Sequence, residues 1–141
     1  MIAIEDSLAI QNLVHRYAIY VDTQQLDKLM VLFTEDVLFD ESEIGLAPTR
    51  GLADLRAGFQ SGFDALSHNF HMIGNNVITQ FDGANAAGQC HFFAQARLAA
   101  NGTRLNMAGY YQDQYRKSAH GEWRIASRVL VLLMPVEKIR A

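Results

Sequence analysis

The spacing of apolar residues changes character once along the chain. At first it is helical: Ile10, Leu13, Val14, Tyr17, Ala18 and Val21 fall at i, i+3, i+4, i+7, i+8 and i+11, one stripe on one helix. Glu5 and Asp6 stand near its start, where the positive end of the helix dipole favours acids. The run Asp22-Thr23-Gln24-Gln25 has capping-box spacing, with Val21 and Leu26 placed as a hydrophobic staple. It predicts a second short helix over Thr23 to Leu32. Val37-Leu38-Phe39-Asp40 reads as a strand, and Glu41 to Gly51, with Gly45 and Pro48, as a loop. Leu52, Leu55, Phe59 and Phe63 return to helical spacing, weakened by Gly58 and Gly62.

After Ser67 the period becomes two. Strands are predicted near His68–Phe81, Ala84–Leu98, Thr103–Arg116 and Trp123–Met134. Asp82-Gly83 and Asn101-Gly102 mark tight turns, His120-Gly121 a weaker one, and Gly74 a bend in the first strand. Asn101-Gly102-Thr103 also fits a glycosylation sequon, but the turn accounts for it. Helices followed by antiparallel strands make an α+β plan, the helices covering one face of a curved, mostly antiparallel sheet. With strong twist such a sheet closes into a cup, and a small-molecule pocket belongs in its mouth. No repeat, low-complexity tract or linker interrupts the chain, so one domain over residues 1–141 is expected.

Strand Trp123–Met134 is apolar on both faces, with Ile125, Val129, Val131 and Leu133 read on one and Ala126, Leu130, Leu132 and Met134 on the other. The helices and pocket cover only one side. A homodimer or homotrimer built on the outer face of the last strands is therefore expected, since the six residues Val136 to Ala141 are too few to cover it.

Composition narrows the function classes. Half of the 141 residues are hydrophobic and 19% are charged, which disfavours disorder. A net charge of −3 gives no electrostatic footprint for nucleic acid. The lone Cys90 rules out an intramolecular disulfide and the multi-cysteine metal frameworks. Met1-Ile2-Ala3-Ile4 followed by Glu5-Asp6 lacks a secretory pattern, and Val129 to Val136 falls far short of the ~20 residues of a membrane helix. A cytoplasmic protein without membrane contact is expected.

Of the histidines, His15 falls off the apolar helical stripe, His120 sits in a turn, and His68 and His71 point to opposite faces of a strand. No metal-ligand spacing, phosphate-binding glycine loop or nucleophile elbow occurs, so neither metal nor cofactor is expected. Two residues stand out. Asp22 lies at the junction of the first two helices, and His71 lies between Phe70 and Met72-Ile73 in an apolar strand. On spacing alone Asp22 reads as a helix cap and His71 as a core histidine, the alternative being a site.

The run Tyr17 to Asp36, with "VLFTED" at its end, resembles the opening of the SnoaL-like domain family of the nuclear-transport-factor-2-like superfamily. His71-Met72-Ile73-Gly74-Asn75 is similar to the family's His-x-x-x-Asn strand. Gly109 to Arg116 followed by Gly121-Glu122-Trp123-Arg124-Ile125 resembles its final hairpin. The likeness spans about residues 5–134. It implies a cone-shaped α+β barrel with a deep apolar pocket. Scytalone dehydratase, hexachlorocyclohexane dehydrochlorinase and bile-acid 7α-dehydratase belong to this group and carry an Asp–His pair, which Asp22 and His71 match. The resemblance thus turns the two residues from cap and core into a catalytic pair. Departures exist: Val21 replaces a tyrosine of scytalone dehydratase, and Ala96, Gly109 and Tyr111 stand near its second histidine, serine and asparagine, which disfavours scytalone as substrate. Tyr17 stands near the lysine of the dehydrochlorinase.

The implied activity is a dehydratase-like lyase acting on a small apolar substrate, cyclic or of polyketide or steroid type, with Asp22 orienting His71 as general base. Tyr17, Phe39, Tyr111 and Arg128 are the expected substrate-binding residues, with an interface salt bridge as the other place for Arg128. Asp113 is expected to pair with an arginine on the rim. An isomerase or cyclase using the same base is one alternative. A non-catalytic binder or assembly subunit, like the β-subunits of aromatic-ring dioxygenases, is the other.

Overall fold

The computed structural model describes residues 1–141. Helix α1 runs over Ile4–Asp22 and buries the whole stripe Ile10, Leu13, Val14, Tyr17, Ala18 and Val21. A short α2 (Leu26–Met30) leads into β1 (Phe33–Asp40), longer than the four residues expected. The predicted loop contains a 3-10 turn at Ser42–Ile44 and a two-residue β2 (Thr49–Arg50). Then come α3 (Leu52–Ala65), β3 (Leu66–Phe81), β4 (Asn85–Leu98), β5 (Arg104–Lys117), β6 (Trp123–Leu132) and β7 (Glu137–Ile139).

The strands form one sheet in the order β2-β1-β6-β5-β4-β3, with β7 also pairing with β5. All pairs are antiparallel except β1 with β6. Gly83, Gly102 and Gly121 take positive φ in the three turns their dipeptides predicted. The register of β3 shifts between Gly74 and Val77, where Asn75 adopts φ 51°, so the expected bend is a bulge. The three helices lie on one face of this curved sheet, the cone-like α+β arrangement expected. No helix is long and apolar enough to cross a membrane.

Two expectations need correction. Asp22 caps no second helix: α2 starts at Leu26 after Gln25 and receives no side-chain cap. Both Asp22 oxygens are taken by His71 instead. The faces of the last strand are also different. Ser127 pairs with Gln114 but Ile125 with Tyr115, so Ala126 is an extra residue in β6. The bulge reverses the alternation and brings Ile125 to the buried side with Arg128 and Leu130. The residues after Pro135 add an element that the sequence did not predict. They form β7 against Arg104, Leu105 and Asn106.

Candidate active site

Between the helices and the sheet lies a cavity of about 850 Å³, lined mainly by apolar side chains. That is within the range of small-molecule sites, roughly 300–1,000 Å³. Its inner wall is the alternate row Phe92, Ala94 and Ala96 of β4, small or flat residues that leave room. Tyr17, Phe39, His71 and Tyr111 reach it from α1, β1, β3 and β5.

The pair at its centre joins a helix end to a strand. Asp22 is the last residue of α1, and His71 faces inward from β3, opposite Ala94. Asp22 Oδ1 lies 2.7 Å from His71 Nδ1, and Asp22 Oδ2 accepts the backbone N–H of His71, also at 2.7 Å. The two bonds fix the carboxylate plane and the ring together. An ionised carboxylate only accepts, so Nδ1 carries the ring proton and Nε2 keeps its lone pair. Nε2 has no protein partner, and His71 borders the cavity with its side chain 11% exposed. The Tyr17 ring meets the imidazole edge-on, centroids 6.3 Å apart.

Arg128 is not at the substrate or at a surface available to a partner subunit. It is 1% exposed and borders no part of the cavity. Its Nε and Nη2 donate to the two oxygens of Asp113, both at 2.8 Å. Asp113 is fully buried, so its arginine partner is in the core and not on the rim. The guanidinium is sandwiched between Tyr17 and Tyr111, 4.3 and 4.2 Å from the ring centroids. Burial disfavours its charge, but Asp113 more than offsets this and holds Arg128 firmly protonated. Nη1 is buried without a partner. Arg128 therefore supports two cavity walls from behind. The tyrosines are pushed well above the ordinary phenol range by burial, then by the nearby Glu41 charge for Tyr17, and stay protonated. Cys90 is also buried, its thiol pushed up to about 12 by desolvation, and is no nucleophile.

Glu41, in the predicted loop, lines the cavity too. Its signal was present: Val37, Phe39 and Glu41 continue one alternation along β1, which carries position 41 to the inner face. Lys138 and Arg140, in and just after β7, border the rim and were likewise not anticipated.

A family model described as a SnoaL-like domain matches residues 3–129. No curated protein matches the chain. Among solved structures, a protein of Novosphingobium aromaticivorans named provisionally as an aromatic ring hydroxylase is 33% identical. The match covers 99% of this chain and 96% of that one, with a TM-score of 0.92. A provisionally named scytalone dehydratase of the same organism has 18% identity and a TM-score of 0.85, over 96% and 89% of the two chains. A hexachlorocyclohexane dehydrochlorinase of Novosphingobium barchaimii has 15% identity and a TM-score of 0.85, over 96% and 90%. The last two likenesses speak to fold.

Proposed function

The chain belongs to the SnoaL-like domain family, and from that premise we propose that it is a lyase of dehydratase type in which Asp22 and His71 act as general base. One observation carries the reading: a largely buried imidazole held through Nδ1 by a carboxylate, with Nε2 free at an apolar cavity. Nε2 takes a proton from a carbon beside the substrate's carbonyl. The electron pair moves onto the carbonyl as an enolate, then returns to expel a leaving group from the β-carbon. Asp22 stabilises the imidazolium and fixes its tautomer without itself taking the proton, the orienting half of triad logic. The Tyr17 and Tyr111 hydroxyls, kept protonated, are donors for the substrate's oxygen. A non-catalytic assembly subunit gives no reason to hold an imidazole against a carboxylate in such a place.

The test is turnover of a panel of apolar cyclic β-hydroxy ketones followed by mass spectrometry. Loss of water marks a lyase, and an unchanged mass with a new isomer marks an isomerase or cyclase. H71Q and D22N are expected to lose activity about 10²–10⁴-fold while remaining folded. In D22N the amide offers N–H to Nδ1 and favours the tautomer with the proton on Nε2. Either variant working at the wild-type rate would end the base assignment.

A further inference from the structure

Three acids follow one another closely after Phe39, and their surroundings differ. Asp40 accepts the backbone N–H of Ser42 at 2.9 Å and shapes the turn. Glu43 accepts the backbone N–H of Leu132 and ties the turn to β6. The Glu41 side chain makes neither a hydrogen bond nor an ion pair, although its backbone carbonyl closes the turn onto Ile44. It faces the cavity, on the same inner row as Phe39. A carboxylate in an apolar setting without a donor is costly, so this position favours the protonated acid or awaits a ligand group.

We propose that Glu41 is the general acid that protonates a departing hydroxyl, which makes the substrate a β-hydroxy carbonyl compound and the reaction a dehydration. This rests on His71 being the base. Both residues line the same cavity, as does Tyr17, whose ring packs edge-on against His71. A single substrate in the cavity can therefore meet both. His71 Nε2 takes the C–H proton, the enolate collapses to an alkene, and the C–O bond breaks as Glu41 gives its proton to the oxygen. Water leaves, and the products are enzyme with imidazolium and carboxylate. Proton return from His71 to Glu41 through solvent completes the cycle. A halide would leave without an acid, so this residue distinguishes hydroxyl from halide substrates.

Burial supports the role, raising the Glu41 carboxyl to about 7, with Arg128 opposing the rise and Asp40 adding to it. Of the other ionisable groups on the cavity, Tyr17 and Tyr111 remain neutral hydroxyls, His71 is paired with Asp22, Glu43 is tied to the Leu132 N–H, and Lys138 and Arg140 stand at the rim. As Glu41 gives up its proton, the fixed charge of Arg128 favours the anion being formed. The acid form is the active one, so elimination is expected to fall as pH rises through about 7.

Two measurements test the assignment. The first needs no substrate: carbon NMR of protein labelled at the glutamate carboxyls, with E41Q identifying the Glu41 signal. Titration near neutrality supports the proposal, and titration in the ordinary carboxylate range overturns it. The second follows 3-hydroxycyclohexanone in deuterated water. E41Q is expected to keep deuterium exchange beside the carbonyl, the His71 step, and to lose water elimination about 10²-fold or more. H71Q loses both. Elimination undiminished in E41Q overturns the proposal, as does exchange lost together with it. Absence of exchange in the wild type counts against the His71 base, and the titration then decides Glu41 by itself.

Discussion

Arg128 and Asp113 show how much depends on single residues beneath a cavity wall. Both are buried and joined by two short bonds, with tyrosine rings on either side of the guanidinium. Removing one partner leaves an uncompensated buried charge, which costs about 3–5 kcal/mol, whereas exchanging both for apolar residues of similar volume is often tolerated. R128A is therefore expected to lower urea stability by about that amount, and R128M combined with D113L to recover most of it. Equal losses in the single and double variants would show that ring packing, not charge pairing, matters here. The pairing of Asp113 with an arginine was legible in the sequence, but its depth was not, because each residue taken alone belongs on a surface. Asp22 and His71 were ambiguous for a related reason. A carboxylate after a helix caps or reaches outward according to what the distant strand offers, and local spacing does not contain the strand.

Among the elements, α1 is fastened to the sheet at both ends. Near its start Asp6 accepts the Trp123 indole N–H and the Lys117 ammonium, each at 2.8 Å, and at its end Asp22 holds His71. The apolar stripe predicted this helix residue by residue, since one buried face repeats at a fixed period. The strands after Ser67 were equally legible, because alternation and turn glycines signal locally. What escaped was parity: the extra residue Ala126 reverses the faces of β6, and nothing in a run of apolar residues announces a bulge. The pairing of β5 and β6 shows a further constraint. A Cβ built on Gly109 would lie 2.0 Å from the Val131 carbonyl oxygen, a backbone atom that cannot step aside. Gly62, inside α3, has nothing within 4 Å of the same position. G109A should cost about 3 kcal/mol or more, and G62A should gain about 0.5–1 kcal/mol from helix propensity. Thermal melts of the two variants moving the same way would refute that view of the ladder.

At the scale of the whole molecule the outer face of the sheet is left bare. Met72 and Phe93 are cross-strand neighbours there, 61% and 42% exposed, with Phe70 beside them at 46%. An apolar patch of this kind is unusual on a monomer, and the C-terminal residues turn away from it to build β7. A homodimer or homotrimer covering this face is expected, centred on β3 and β4 and not on the last strands to which the sequence pointed. Sedimentation at micromolar concentration checks it, and a single species near 15.8 kDa, unchanged on dilution, would refute it. F93E should shift the population toward the monomer without moving Asp22 or His71, which lie on the other side. The same turn of the chain has another consequence. The rim formed by Val136, Lys138 and Arg140 is held to the body by a three-residue strand. What the cavity admits is thus partly decided by a short, replaceable segment. Exchanging the segment after Pro135 for other sequences would retune selectivity while the core stays untouched.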